Sequence, residues 1–247
     1  MIKASNRIII STIQRKERLI QLSFADEEKV DLIYIPSNIP VCPISPNDIR
    51  VIRDNLGVKP DMTLLSAFGL RYADGIYGVL FKALAKVKQR GYRFKMVYLG
   101  NLQGFDKYMN KIKRLQAQYE LEKDIVWTGY LSAEDVSKHL SSSDIYLLPL
   151  VDGVSTRRGT LAVALDHRLP VIGTKGKSCD TVFIDRENII LVSPDDADEF
   201  ASAICELIES KQLREYIAVN GKKLHDENMS WQIVARKTLE AYKKALN

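Results

Sequence analysis

From Met62 onward, short and almost unbroken apolar runs alternate with stretches whose apolar residues recur at helical spacing, and few folds accept that alternation. The runs are Thr63–Ala67, Phe94–Leu99, Ile125–Thr128, Ile145–Leu148, Pro170–Ile172 and Ile189–Val192. A strand that is apolar on both sides has to be covered on both faces, which is the condition of a parallel sheet. Between the first two runs, Ile76, Val79, Leu80, Ala83, Leu84 and Val87 fall at i, i+3, i+4 and i+7, the face of an amphipathic helix. Phe105, Tyr108, Met109, Ile112, Leu115 and Tyr119 repeat that face, and Ser132-Ala-Glu-Asp135 has the shape of a capping box. Further helices are predicted over Asp195–Glu209, Lys211–Asp226 and Ser230–Leu246. With right-handed crossovers the pattern predicts an α/β fold, a doubly wound, Rossmann-like parallel sheet. Such sheets bind ligands beyond the carboxyl ends of their strands, where the strand order reverses.

Ahead of this domain, assigned to residues 58–247, stand two smaller pieces. Residues 1–40 read as a β-α-β appendage: strand Arg7–Ser11, a helix from about Gln14 to Phe24, strand Lys29–Ile35 and the turn Pro36–Pro40. That is too little chain to bury a core alone. Residues 41–57 are a proline-punctuated linker followed by a helix from about Asn47 to Asn55, stopped at Leu56-Gly57.

Of the 247 residues, 46% are hydrophobic and 27% charged, as in ordinary globular domains, and the net charge is +5. A mild positive balance suits a protein that handles phosphorylated ligands or sits beside anionic lipid, and it gives no nucleic-acid stripe. No apolar run approaches the roughly 20 residues of a membrane span. Cys42, Cys179 and Cys205 are far apart, which reads as reduced thiols in a cytoplasmic protein. His139, His167 and His225 are equally scattered, so neither a zinc set nor a histidine-centred triad is visible.

The loop between the strands Ile145–Leu148 and Pro170–Ile172 carries the chemistry: Asp152, Gly153, Ser155, Thr156, Arg157, Arg158 and Gly159 precede a short apolar helix. Ser155 or Thr156 is expected to cap that helix, a hydroxyl accepting from an unpaired backbone N–H. Two guanidinium groups at a helix N-terminus oppose its partial positive charge. Either both point into water, or an anion bound there takes the free amides and the arginines together. The loop Phe68–Gly75 lies at the same sheet edge, where Gly69 lets a ligand approach the backbone and Arg71 reaches toward the same place or into solvent. Asp152 can orient a sugar hydroxyl or pair with an arginine, the commoner fate. Gly100-Asn-Leu-Gln-Gly104 has the wrong spacing for a dinucleotide fingerprint, and no Walker-type loop occurs.

Phe68-Gly69, Tyr98-Leu-Gly100, Thr128-Gly-Tyr-Leu131, Ser143–Pro149, Asp152–Thr160, Leu169-Pro-Val-Ile172 and Ser230-Trp231, in that order, resemble the C-terminal, donor-binding half of GT-B glycosyltransferases. The similarity is to the retaining family called glycosyl transferases group 1, in a bacterial subset, and runs from about Asp48 to the end. It implies a nucleotide diphosphate sugar, UDP- or GDP-linked, as donor substrate, with no further cofactor and no metal. Gly69 and Arg71 fall on the family's phosphate-facing loop. Arg157, Arg158, Gly159 and Thr160 fall where it meets the diphosphate, within the donor loop that also holds Asp152, Gly153 and Ser155. Tyr130 and Leu131 fall where the base packs. The resemblance implies transfer to a saccharide or lipid-linked acceptor in the cytoplasm, at the inner face of the membrane if it touches one. Nucleic acid is not an expected partner.

Departures accompany it. Where many relatives carry glutamates eight residues apart, this chain has Ser155 and Val163, and Asp74 replaces the usual lysine of the first loop. Residues 1–40 resemble only the last piece of the acceptor domain, so the chain reads as a fragment, as a split enzyme whose partner is a second chain supplying that domain, or as a stand-alone remnant. The alternatives are a nucleotide-sugar-binding subunit inactive alone, and a Rossmann-type oxidoreductase or epimerase. The last helix is expected to lay Trp231, Val234, Leu239, Tyr242 and Leu246 on residues 1–35.

Overall fold

A computed structural model describes residues 5–22, 25–69, 76–100 and 106–246. Its centre is a six-stranded parallel sheet built from β3 (Thr63–Phe68), β4 (Phe94–Leu99), β5 (Ile125–Trp127), β6 (Ile145–Leu148), β7 (Val171–Thr174) and β8 (Ile190–Val192). The strands lie in the order β5-β4-β3-β6-β7-β8, so the chain winds outward from β3 in one direction and from β6 in the other. The order reverses between β3 and β6, which pair in parallel through Leu65↔Ile145 and Ser66↔Tyr146. All four residues of β6 and of β7 are buried, as both-faced apolar strands require.

The covering helices are α3 (Ile76–Gln89), α4 (Asp106–Gln118), α5 (Ala133–Ser141), α6 (Gly159–Asp166), α7 (Ala197–Glu209) and α8 (Lys211–Asn228). Ile76, Leu80, Ala83, Leu84 and Val87 of α3 are buried, whereas Val79 of the expected face is only half-buried. Ser132 caps α5 by accepting from Asp135 N–H at 3.1 Å. Phe105, expected on α4, lies outside the described residues. α2 (Pro46–Asn55) starts one residue earlier than expected, because Ser45 and Asp48 form a capping box there. Its Arg53 holds Asp144 at 3.0 Å, and Asp144 takes the Leu64 N–H at 2.7 Å, so α2 is tied to the start of β3 and β6.

The appendage contains β1 (Ile8–Ile10), α1 (Ile13–Gln21) and β2 (Val30–Leu32), with β1 and β2 forming a two-stranded parallel sheet. β2 is shorter than the expected Lys29–Ile35. Ile33 N–H still reaches Ile10 at 2.9 Å, but Ile35 N–H leaves for the Thr156 carbonyl at 3.1 Å. The appendage therefore docks on the loop that carries the arginines.

The last helix, α9 (Trp231–Leu246), corrects an expectation. Val234 and Ala241 pack on Ile33, and Trp231 Nε1 donates to the Ser37 carbonyl at 2.7 Å. Trp231, Leu239, Tyr242 and Leu246 are 54–88% exposed, so of the predicted face only Val234 is buried. The helix turns Val234 and Ala241 to the segment after β2 and leaves its larger apolar side chains outward.

A hydrogen-bond chain fixes α5 against α6. Cys42 N–H donates to Ser137 Oγ at 2.8 Å, Ser137 O–H donates to His167 Nε2 at 2.8 Å, and His167 Nδ1–H donates to the Val163 carbonyl at 2.8 Å. Burial pushes the His167 imidazole below its usual range, opposed by the Val163 carbonyl, which favours the charged ring. The unfolded chain then binds the proton more readily than the folded one. The stabilisation is complete above the unfolded value of about 6.5 and is lost as pH falls through the lower folded value. Urea midpoints measured from pH 8 to pH 4.5 should fall across that window, and His167→Gln should flatten this component of the profile.

Candidate donor-binding cleft

β3 ends at Phe68-Gly69, and β4 ends at Leu99-Gly100, with Gly69 at φ +141° and Gly100 at φ +155°. The two backbones touch: a Cβ on Gly100 would stand 2.2 Å from the Gly69 carbonyl oxygen. A Cβ on Gly69 would stand 3.5 Å from Thr160 Cγ2, so the end of β3 faces the start of α6. Tyr146 holds the end of β3 from below. Phe68 N–H donates to its hydroxyl oxygen at 3.3 Å, and its own O–H is 3.4 Å from the Phe68 carbonyl. Burial raises the Tyr146 phenol well above its ordinary value, so it stays a neutral strut.

Above this floor opens a cavity of about 820 Å³, at the point where the strand order reverses. Phe68, Gly69, Gly100, Tyr130, Leu131, Ala133, Val136, Gly159 and Thr160 line it, with Ile35, Pro36, Asn38 and Ile39 of the segment leaving the appendage. Of the residues expected at a site, Gly69, Tyr130, Leu131, Gly159 and Thr160 are thus brought together. Arg71 and Asp74 lie outside the described residues.

The remaining predicted residues do not line the cavity. Asp152 is exposed, and its carbonyl accepts from Ser178 N–H at 2.7 Å. Gly153, at φ +88°, is buried with its backbone against Gly176. Ser155 is buried, and its Oγ has no partner among the described residues. Arg157 and Arg158 are half-buried and lead directly into α6. Val163 is fully buried in the core.

The expected cap is also corrected. The N-cap of α6 is Arg158, without a side-chain cap bond. Thr156 instead places its hydroxyl 2.6 Å from the Ser11 carbonyl and 2.8 Å from Asp180 Oδ2. A buried carboxylate from another loop outcompeted the local cap. With Leu161 and Ala162 N–H both turned back to the Arg158 carbonyl, the amides of Gly159 and Thr160 find no acceptor among the described residues. No acidic residue stands in the first turn of α6. The arrangement presents unpaired amides and a helix dipole to one edge of an otherwise apolar cavity, which suits an anion joined to a flat apolar group; Arg157 and Arg158 precede that helix without lining the cavity.

The lining residues missed in the sequence are Ile35, Pro36, Asn38 and Ile39, together with Phe68, Gly100, Ala133 and Val136. A signal was present in the crossover: Ile35 and Ile39 each stand immediately before a proline, apolar where a solvated connector has no use for them.

The family model described as "Glycosyl transferases group 1" matches residues 62–210. An uncharacterized glycosyltransferase of Methanocaldococcus jannaschii is 26% identical over 98% of this chain and 61% of its own length. A D-inositol 3-phosphate glycosyltransferase of Paenarthrobacter aurescens is 23% identical over 100% of this chain and 59% of its own. The chain therefore spans about three-fifths of the length of these curated relatives. A glycosyltransferase structure from Rickettsia africae superposes with a TM-score of 0.86 at 20% identity, over 100% of this chain and 65% of that one. The Anabaena protein HepE, solved in complex with UDP and glucose, gives 0.81 at 19% identity, over 96% of this chain and 63% of its own.

Proposed function

Because the chain belongs to the glycosyl transferases group 1 family, we propose that its cavity binds a nucleotide diphosphate sugar and that the protein moves the sugar to an acceptor hydroxyl. The observation that carries this is the joining of Gly69, Gly159 and Thr160 at one end of a cavity whose other walls, including Tyr130 and Leu131, are suited to a base. HepE, which shares this fold, was solved in complex with UDP and glucose, which supports UDP as the first ligand to try. The acceptor is a saccharide or a lipid-linked saccharide in bacterial glycan assembly. The workplace is the cytoplasm, at the inner membrane face when the acceptor is lipid-linked; no described helix is long and apolar enough to cross a membrane.

As the sugar departs, negative charge grows on the diphosphate, and stabilising that charge is usually the largest catalytic term. The Gly159 and Thr160 amides, Arg157 and Arg158 are the groups assigned to it, with Arg71 from the first loop. Titration with UDP and GDP in a calorimeter tests the reading. Arg157→Ala and Arg158→Ala should each weaken the preferred nucleotide by about 1–3 kcal/mol, the range for charge-assisted hydrogen bonds. Thermal stabilisation by NAD with none from UDP or GDP would replace this reading with a redox one, since a ligand raises the melting point only by preferring the folded state.

A second reading has its own observation. Ile9 in β1 is 44% exposed although β1 is apolar on both faces, and the α9 stripe of Trp231, Leu239, Tyr242 and Leu246 lies uncovered nearby. A donor-binding subunit completed by an acceptor-side polypeptide packed over that layer would account for both. Donor binding without hydrolysis by the chain alone, with turnover restored by a second polypeptide, is its expected signature.

A further inference from the structure

The loop from β6 to α6 is laced to the loop after β7, rung by rung. Ser178 N–H reaches the Asp152 carbonyl at 2.7 Å, and Asp180 N–H reaches the Val154 carbonyl at 3.2 Å. The final rung is a side chain: Asp180 Oδ2 takes Thr156 N–H at 2.7 Å and lies 2.8 Å from Thr156 Oγ1. Beyond it, only the turn from Arg158 N–H to the Ser155 carbonyl, at 3.0 Å, precedes the first helical residue, Gly159. The direction of the first turn of α6 is therefore inherited from that rung.

Asp180 closes the ladder from inside the fold. It is 1% exposed, forms no ion pair among the described residues, and its Oδ1 has no partner there. A buried carboxylate without a countercharge is costly, and the amide oxygen of an asparagine would accept the same N–H. Thr156 has one hydroxyl proton and two acceptors, Ser11 carbonyl at 2.6 Å and Asp180 Oδ2. On the far side, Ile35 N–H holds the Thr156 carbonyl at 3.1 Å, and Ile35 itself lines the cavity. One threonine thus gathers the appendage, the β7 loop and the approach to α6 onto a single carboxylate.

We propose that Asp180 is a positioning residue of the cavity: through Thr156 it sets where the amides of Gly159 and Thr160 point. The proposal rests on reading the cavity as a nucleoside diphosphate site, and Asp180 itself touches no ligand.

The test compares the full chain with D180A and D180N. Three readouts are used: UDP and GDP affinity by calorimetry, amide hydrogen exchange at Thr156, Gly159 and Thr160, and the urea midpoint. D180A, if folded, should bind the preferred nucleotide at least tenfold more weakly and exchange the Thr156 amide at least tenfold faster. D180N keeps, in its amide oxygen, an acceptor at the Oδ2 position for both Thr156 N–H and Thr156 Oγ1. It should therefore bind within threefold of the parent and hold Thr156 protection, which a role for the charge itself would not allow. Should D180A fail to fold, D180N decides alone: loss of binding with Thr156 still protected overturns the proposal. Unchanged affinity, or unchanged Thr156 exchange, in folded D180A also overturns it. If the parent chain binds neither nucleotide, the ligand reading has failed, and the exchange arm still judges the clamp.

Discussion

Replacing Gly159 with leucine is expected to abolish nucleoside diphosphate binding while leaving the protein at least as stable. Among the described residues, a Cβ at Gly159 meets nothing closer than Asn38 Oδ1 at 4.0 Å, and both residues line the cavity. The added side chain would extend into the space the ligand needs and would shield the Gly159 and Thr160 amides. Gly159 has no left-handed backbone to lose. Substituting a glycine at a compatible position restricts the unfolded chain and stabilises by about 0.4–1 kcal/mol. Affinity should fall at least about a hundredfold, close to 3 kcal/mol, while the urea midpoint holds or rises. The opposite signs are the point of the experiment, because a loss of binding through unfolding would carry the midpoint down with it. UDP or GDP bound as tightly by this variant as by the parent would remove the α6 N-terminus from the site.

The layered sheet was legible because its strands had no polar side to hide their direction: Ile145–Leu148 can only be covered on both faces, and all four residues are. The loop ends were legible at Gly69 and Gly159 for a similar reason, since the alternation placed both at the carboxyl edge of the sheet. Inside the loop the reading failed at the level of single residues. Gly153 and Gly159 look alike in a sequence, yet one faces the backbone of Gly176 and the other faces the cavity. Thr156 reads as a cap by local spacing, yet its hydroxyl is engaged by a carboxylate 24 residues further on and by the Ser11 carbonyl. Long-range pairing of this kind leaves no local spacing to detect. The same holds for α9, where Leu239, Tyr242 and Leu246 repeat at helical intervals but Ala241 and Val234 make the contact. A periodic face shows that a helix has an apolar side, and steric fit at the partner decides which part of that side is used.

The stability of the whole loop should hinge on Gly153, the residue whose assignment changed most between sequence and structure. A Cβ there would lie 2.3 Å from Gly176 N, 2.9 Å from Gly176 Cα and 3.1 Å from the Thr174 carbonyl oxygen. These are backbone atoms, so the clash cannot be relieved by turning a side chain aside. The left-handed φ of +88° adds the usual penalty of roughly 1–2 kcal/mol for a residue bearing a Cβ. Relief requires the two loops to part, which breaks the bonds from Val154 N–H to the Thr174 carbonyl at 2.9 Å and from Ser178 N–H to the Asp152 carbonyl at 2.7 Å. At about 1 kcal/mol for each net bond, Gly153→Ala should cost about 3 kcal/mol or more, a large share of a typical domain's stability of about 5–15 kcal/mol. Gly78→Ala, on a side of α3 with nothing within 4 Å among the described residues, is the control, and it should stabilise by about 0.5–1 kcal/mol. Chemical denaturation of the two variants beside the parent separates a glycine kept for close approach of two chains from one kept by no packing constraint. A Gly153→Ala protein with an unshifted midpoint would mean that the two loops can part freely, and the position of the α6 N-terminus would then need another anchor.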